Sequence, residues 1–198
     1  MKRVLVLAGT LAVLSLLATD AGIALGEVHF DQAAYAKAIS DPHSGEAEVI
    51  WAVRTPRVVC AFMVGAALGL AGAVMQGLLR NPLAEPGVVG VSGTAACAAA
   101  LAIVLGLAAV PGAVEAAALI GAAVAGVLLT VVGAKVRAPE ALILFGVALS
   151  SFSGAATALI FNLSPSPIAS AEVMSWLLGS VQNRSWVDVA WVTPAVIV

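Results

Sequence analysis

Charged residues are scarce in this sequence. Only 10% of its 198 residues are charged, nine Lys or Arg and eleven Asp or Glu, whereas a soluble domain has about 25%. Hydrophobic residues make up 62% of the chain, and its mean hydropathy is +1.08. This scarcity of charge excludes an ordinary soluble domain and predicts an integral membrane protein. The chain has no basic cluster, so we expect no nucleic-acid partner.

Residue types that commonly carry chemistry are also few. Cys60 and Cys97 are isolated in apolar runs and fit no metal or redox spacing, so we interpret both as small core residues. His29 and His43 have no neighbouring cluster of metal-binding residues. A GxxxxGK[ST] phosphate loop is absent from the sequence. We therefore predict no metal site, no catalytic residue, no cofactor and no enzymatic activity on this chain.

Long apolar runs make up most of what is present. A run of about 20 apolar residues is long enough to cross a bilayer as a helix. The runs predict an all-α, polytopic helical bundle with five complete spans, a short outer helix and the start of a sixth span. In chain order these segments are residues 4–25, 58–79, 91–110, 114–134, 141–163, 167–178 and 186–198.

The N-terminus has two interpretations. Lys2 and Arg3 before an apolar run and "ATDA" fit a cleaved signal peptide. The length of the run and the spans that follow favour an uncleaved first helix. With this end in the cytoplasm, five Lys or Arg lie inside and four outside, as the positive-inside rule prefers. This orientation places residues 26–56 outside.

Small residues recur at intervals of four in two of the predicted helices. Such stripes let helix backbones approach closely in a membrane. They are Gly65, Gly69, Ala73 and Gly77 in the second span, and Ala117, Gly121 and Ala125 in the fourth. Gly87, Gly90 and Gly93 form a GxxGxxG pattern, which we also interpret as close packing at a helix start.

Three segments carry a more specific pattern. They read "RTPRVVCAFMVGAALGLAGAVMQGLLRNPLAEPGVVGVSGTAA" over Arg54–Ala96, "LILFGVALSS" over Leu142–Ser151 and "MSWLLGSVQNRSWVDV" over Met174–Val189. Together they resemble the FecCD family, the permease subunits of ABC importers for iron–siderophore complexes, haem and vitamin B12. The most specific feature is Arg-x-Pro-Arg, Gln-Gly-Leu and Asn-Pro-Leu-Ala-Glu-Pro-Gly in one order. The resemblance covers nearly the whole chain.

The resemblance implies a permease subunit in the bacterial cytoplasmic membrane that forms the translocation pathway. It implies a second permease subunit, either a homodimer or a heterodimer partner, with membrane lipid around the pair. ATP hydrolysis is expected on separate ABC ATPase subunits, consistent with the missing phosphate loop. A substrate-binding protein is expected to deliver the metal chelate from outside.

The resemblance also implies roles for single residues at the two ends of the second span. In the vitamin B12 branch, the Asn and Leu of the inner loop form part of a cytoplasmic gate, which corresponds to Asn81 and Leu83 here. The alternative is a tight structural turn in which Asn81 caps backbone groups. The other gate segment of that branch corresponds to "RAPEAL" here, which lacks the expected small hydroxyl residues, so no gate residue is assigned to it.

Arg54 and Arg57 are the corresponding candidates at the outer end. The family role implied for them is to receive acidic residues of the binding protein, and the planar guanidinium suits paired bonds to a carboxylate. The alternative is that both arginines extend to lipid headgroups.

The last segments contain helix-start signals. Ser166 before Pro167 predicts the start of the short outer helix, and Ser185 with Asp188 predicts a capping box at the sixth span. Residues 186–198 extend about 20 Å as a helix, short of a hydrocarbon core of about 30 Å. We therefore expect the chain to be the N-terminal portion of a permease, truncated or partially read.

Charge placement bears on two rival functions. No Asp, Glu, Lys or Arg lies in the middle of a predicted span, whereas ion-driven transporters commonly need one. A secondary transporter or channel is therefore disfavoured. A non-transporting membrane scaffold is the other alternative, and it would not require the ordered pair of arginine and proline motifs.

Overall fold

The computed structural model describes residues 2–26, 28–82, 84–136 and 139–197. Within these ranges the regular structure is helical and no strand occurs. The α-helices are α1 (Lys2–Ala24), α2 (Gln32–Ser40), α3 (Gly45–Ala47), α4 (Thr55–Leu79), α5 (Val91–Val104), α6 (Ala113–Lys135), α7 (Pro139–Asn162), α8 (Pro167–Leu178), α9 (Trp186–Val192) and α10 (Pro194–Ile197). A π-helix, Glu48–Arg54, joins α3 to α4, and 3-10 helices occupy Pro86–Val89 and Leu107–Ala109.

Four helical segments in the described part of the chain are long and apolar enough to cross a membrane. They are Lys2–Ala24, Gly45–Leu79, Ala113–Lys135 and Glu140–Asn162. These segments coincide with the first, second, fourth and fifth predicted spans. The second is longer than predicted because α3 and the π-helix continue into α4 without a break. The all-α character and the multiple apolar spans of the prediction therefore agree with the structure.

The third predicted span, residues 91–110, is shorter than expected. Its helix, α5, ends at Val104 after 14 residues, which corresponds to a length of about 21 Å. Gly106 has a φ of 79°, and its N–H bonds to the carbonyl of Ile103. A glycine in the left-handed region ends a helix in this way. The prediction of five complete spans is therefore not confirmed.

The sixth predicted span is interrupted. Its capping box is confirmed: the Ser185 side chain accepts the backbone N–H of Asp188, and the Asp188 carboxylate accepts the N–H of Ser185 at 2.7 Å. The helix α9 then ends at Val192, and α10 begins at Pro194. Proline has no N–H for the helical hydrogen bond to the preceding turn, so it interrupts a helix. A continuous helix over the predicted residues 186–198 is thus not observed.

Two compact units divide the chain. The first is Met1–Gly69 with Val181–Val198, and the second is Leu70–Ser180. In the first unit, the buried residues Ala38, Ala47 and Ile50 form a small core beside the C-terminal end of α1. Helix α4 contributes residues to both units.

The second unit is built around α5, which packs against α6, α7 and α8. Its core contains Ala99, Ala100, Ile103, Val114 and Val173. Small side chains let these helices approach closely, which is the usual basis of helix packing in membranes.

The short helix α8 has the bounds expected from the sequence. It runs from Pro167 to Leu178, and its N-cap is Ser166, whose side chain accepts the N–H of Ala169. Proline at the first helical position has a suitable fixed φ and lacks only an N–H that would be unpaired there. The local sequence therefore determines where this helix begins.

Candidate functional site

The arginine motif, Arg54 to Arg57, begins in a π-helix. The backbone N–H of Thr55 bonds to the carbonyl of Ile50, five residues earlier, and its Oγ1 donates to the same oxygen at 2.7 Å. This wider turn rotates the residues before Thr55 away from their positions in a regular α-helix. Segments of π-helix are rare and are frequently found at functional sites.

Pro56 explains one contact of this turn. In a π-helix each N–H bonds to the carbonyl five residues earlier. The N–H of residue 56 would therefore bond to the carbonyl of Trp51, but proline has no N–H. The Trp51 carbonyl instead accepts the indole N–H of Trp186 at 2.9 Å. Pro56 thus leaves the Trp51 carbonyl free to bond to Trp186, which is distant in the sequence. This hydrogen bond joins α9 to the π-helix within the first unit.

Arg54 lies inside the first unit. Its side chain is buried, with a relative exposure of 7%. One terminal nitrogen, Nη1, donates to the carbonyls of Ile23 and Ala24 at 3.1 and 3.3 Å, and Nη2 donates to the carbonyl of Val28. The guanidinium carbon lies 4.9 Å from the ring centroid of Phe30. The guanidinium predicted to meet a binding protein is therefore bonded to backbone of its own chain, and the docking role of Arg54 stays a prediction.

Arg57 is placed differently from Arg54. Its side chain is half-buried, and its Nε is shielded from solvent without a hydrogen-bond partner among the described residues. A buried donor left unpaired costs about 1–3 kcal/mol. Of the two predicted docking residues, Arg57 is thus the one with a buried donor that has no partner among the described residues. Its docking role also stays a prediction.

The proline-bounded loop after α4 begins with an unusual helix end. Arg80 follows the last residue of α4 and has a φ of 48°. The N–H of Asn81 bonds to the carbonyl of Gln76 at 3.2 Å, five residues earlier. This is the hydrogen bond of a Schellman motif, in which glycine usually occupies the left-handed position. A non-glycine residue there is strained by about 1–2 kcal/mol.

The loop then makes two further turns. The N–H of Ala84 bonds to the carbonyl of Asn81 at 3.1 Å, and the N–H of Val88 bonds to that of Glu85 at 3.2 Å. Leu83, the second gate candidate, lies outside the described residues. The backbone of Asn81 therefore takes part in a tight turn, as one interpretation expected. This does not decide between a turn and a gate, and the gate role of Asn81 and Leu83 stays a prediction.

A small cavity lies beside this loop in the second unit. Its volume is about 150 Å³, below the range of about 300–1,000 Å³ that is usual for small-molecule sites. Its lining consists of Leu79, Asn81, Ala84, Glu85, Val88, Val89 and Ile143. At this volume the cavity is too small for a metal chelate. Among the described residues, no cluster of three or more His, Cys, Asp or Glu side chains is arranged to hold a metal ion.

The end of the loop is packed closely against α7. A Cβ added at Gly146 would lie 2.7 Å from the Cα of Val89, and one at Gly90 would lie 2.9 Å from the backbone nitrogen of Ser150. Gly90 also has a φ of 83°. A Cβ at Gly93 would lie 3.4 Å from that of Ser153. The expectation that the glycines at this helix start serve close packing is confirmed for Gly90 and Gly93.

Sequence reasoning missed a polar pair in the same contact. Thr94 Oγ1 lies 3.1 Å from Ser153 Oγ and also donates to the carbonyl of Gly90 at 2.8 Å. Ser153 is only 3% exposed. Hydroxyl residues inside two apolar runs were the available signal, but a helical hydroxyl often bonds only to its own preceding turn. The pair joins α5 to α7, and Gly146 lets the preceding 3-10 helix, Pro86–Val89, pack against α7.

The two small-residue stripes differ in their surroundings. A Cβ at Gly121 would lie 2.6 Å from the carbonyl oxygen of Thr94, and Ala125 is fully buried. The stripe on α6 therefore packs against α5. On α4, a Cβ at Gly65, Gly69 or Gly77 would meet nothing within 4 Å, and Ala73 is exposed. Helix packing by the stripe on α4 stays a prediction.

Curated relatives share the sequence over most of this chain. The chain is 43% identical over 144 residues to the vitamin B12 import system permease protein BtuC of Vibrio cholerae, covering 71% of this chain and 43% of that protein. It is 32% identical over 195 residues to the Fe(3+)-citrate import system permease protein YfmE of Bacillus subtilis, covering 98% of this chain and 58% of that protein. The chain thus spans roughly half the length of these relatives.

A solved structure agrees with the fold. It is described as a metal-chelate type ABC transporter in an inward-facing conformation, and it matches with a TM-score of 0.79 at 26% identity. The match covers 100% of this chain and 60% of the solved chain. The model of the FecCD transport family matches residues 9–198. On this evidence the chain belongs to the FecCD transport family.

Proposed function

We propose that this chain forms part of the permease of an ATP-driven importer for iron–siderophore complexes or a related metal chelate, such as haem or cobalamin. The observation that carries the proposal is the family match over residues 9–198. Relatives named for vitamin B12 import and Fe(3+)-citrate import support this substrate class. The chelate itself is the substrate, and the chain's role is to provide a path for it.

Helix α4 supports this function because it connects the two candidate motifs. It has 25 residues, which corresponds to a length of about 37 Å, more than the hydrocarbon core of about 30 Å. A helix of this length supports the proposal that α4 crosses the membrane once, with the arginine motif before the crossing and the proline-bounded loop after it. In our proposal the first faces the outside and the second faces the cytoplasm.

The proposed assembly contains further proteins. A second permease subunit completes the pathway, ABC ATPase subunits dock from the cytoplasm, and an extracytoplasmic binding protein delivers the chelate. The sequence has no GxxxxGK[ST] loop, so ATP hydrolysis belongs to the partner subunits. We place the assembly in the bacterial cytoplasmic membrane with the N-terminus of this chain in the cytoplasm.

At the outer side, Arg57 is the better candidate for docking the binding protein. Its Nε lacks a hydrogen-bond partner within the described chain, whereas Arg54 donates to three backbone carbonyls. A guanidinium paired with a carboxylate at an interface forms strong, directional hydrogen bonds. We therefore propose that an acidic residue of the binding protein bonds to Arg57.

At the inner side, Asn81 and Leu83 are proposed as gate residues. The backbone before them is strained at Arg80, and the loop after them is fixed to α7 at Gly146. Strained backbone persists where the surrounding structure holds it, often at functional sites.

Uptake by cells tests the proposed substrate class. Deleting the gene in its host should abolish accumulation of one radiolabelled chelate among a ferric siderophore, ferric citrate, haem and cobalamin. Restoring the gene should restore uptake of that chelate alone. If accumulation of all four is unchanged by the deletion, and no second permease of the family is present in the host, the metal-chelate proposal is wrong.

A further inference from the structure

Arg54 lies at the point where α1 ends. The last helical residues, Ile23 and Ala24, have carbonyls that no N–H of their own helix can reach, as at every helix C-terminus. The guanidinium of Arg54 donates to both, and to the carbonyl of Val28 in the segment that follows. A cation at this end is also favoured by the helix dipole. The side chain therefore does for α1 what a C-cap does, although it comes from another helix.

The residues around the Arg54 guanidinium accommodate its planar shape. It lies over the ring of Phe30, which is held edge-on by Tyr35 at a centroid distance of 6.0 Å. The Tyr35 hydroxyl donates to the Ala24 carbonyl at 3.2 Å. The Ala24 carbonyl thus accepts hydrogen bonds from both Arg54 and Tyr35. The guanidinium and the rings of Phe30 and Tyr35 therefore form one connected cluster.

Gly26 provides the space for this group. A Cβ added there would lie 2.6 Å from Nη2 and 2.8 Å from Cζ of Arg54. The end of an arginine can normally move away from such a contact at low cost. Here three carbonyls and a ring hold it in place, so a methyl group at residue 26 would have to displace it from its partners.

We propose that Arg54 is an internal latch, meaning a side chain that fixes the C-terminal end of α1 to the π-helix at the start of the second span. The π-helix directs the side chain inward, and the planar guanidinium joins two carbonyls of the last turn of α1 to one in the next segment. Lysine cannot replace it, because an ammonium group does not lie flat on a ring and does not present fixed paired donors. This role does not depend on the transported substrate or on a docking partner.

Hydrogen exchange of the assembled permease in lipid nanodiscs tests the latch. The informative amides are those at the end of α1, including that of Leu25, which bonds to the carbonyl of Ala21. In Arg54→Met and Arg54→Lys these amides should exchange about 10-fold to 100-fold faster, as the loss of charge-assisted hydrogen bonds predicts. Arg57→Met is the matched control, and its exchange at these amides should equal that of the wild type.

A second pair of variants tests the role of Gly26. Gly26→Ala should accelerate the same amides, whereas Gly9→Ala, at a helical glycine with open space around it, should not. In an Arg54→Met background Gly26→Ala should have no further effect, because the group it displaces is gone. If Arg54→Met does not fold, the comparison of Gly26→Ala with Gly9→Ala decides alone. Wild-type exchange in Arg54→Met or Gly26→Ala, or equal acceleration by Arg57→Met, would overturn the latch.

Discussion

At the residue scale, the two arginines of one short motif have different surroundings. They are three positions apart and were assigned the same role from the sequence, yet Arg54 is buried on backbone carbonyls while Arg57 has an unpaired Nε. The difference arises because the π-helix ends between them, at Arg54. Effects of substitution should therefore differ in kind: loss of Arg54 should destabilise the chain, and loss of Arg57 should weaken a contact with a partner.

The first prediction concerns Arg57. In the assembled permease, Arg57→Glu should weaken binding of the binding protein by about 2–5 kcal/mol if the pair is desolvated at the interface, and the thermal unfolding temperature should stay near that of the wild type. Affinity is measured at low and high salt, with Lys37→Glu as a control at an exposed cation of the outer segment that is paired with Glu46. Unchanged affinity at low salt would remove Arg57 from the docking surface.

The second prediction concerns Arg80. Glycine adopts a positive φ without a steric penalty, so Arg80→Gly should stabilise the chain by about 1 kcal/mol. Arg80→Ala, which keeps the strained backbone and loses the charge, is the control and should give no stabilisation. Thermal unfolding in detergent measures both. Destabilisation by glycine would show that the arginine side chain matters more than the backbone conformation.

At the element scale, the sequence predicted most helices but not how they end or what they contact. Apolar length located four spans, and local capping signals located the starts of α8 and α9. The early end of α5 was not predicted, because Gly106 lies in an apolar run where glycine is also common inside membrane helices. The π-helix bonds through its Trp51 carbonyl to the distant Trp186, and such tertiary contacts leave no periodic signal.

The third prediction concerns the contact between the 3-10 helix Pro86–Val89 and α7. A methyl group at Gly146 would lie 2.7 Å from backbone at Val89, and overpacking of this kind costs about 1–3 kcal/mol. Gly146→Ala should therefore lower the free energy of unfolding by that amount. Gly154→Ala on the same helix meets nothing within 4 Å and should instead raise it by about 0.5–1 kcal/mol, because alanine favours a helix. Equal effects of the two substitutions would contradict the proposed close contact.

The fourth prediction concerns the inner loop. If Leu83 is part of a gate, Leu83→Ala should raise passive flux of the chelate through the assembled transporter in vesicles without ATP. Leu78→Ala is the control, since Leu78 is an exposed residue of α4 with a relative exposure of 67%. Flux at the wild-type level in a folded Leu83 variant would mean that this side chain is not a gate.

At the scale of the whole molecule, the proposed orientation in the membrane rests on the positions of a few Lys and Arg residues. Five cations against four give a small margin, so topology needs its own measurement. Single cysteines at Ile39, which is 74% exposed, and at exposed Glu85 suit an impermeant thiol reagent in a background without Cys60 and Cys97. Position 39 should react from outside and position 85 should not. Ser44 is less suitable for labelling because its buried side chain caps α3. Labelling of position 85 but not of position 39 from outside would invert the proposed topology.

The central claim is that this chain belongs to the pathway of an ATP-driven importer for a metal chelate. Its most direct test is uptake of the radiolabelled chelate into proteoliposomes that contain the assembled permease, its ATPase subunits and the binding protein. We predict uptake that requires both ATP and the binding protein, stops with a non-hydrolysable ATP analogue and continues when ion gradients are dissipated. Uptake driven by an ion gradient without ATP, or no uptake by a folded and complete assembly, would contradict the claim.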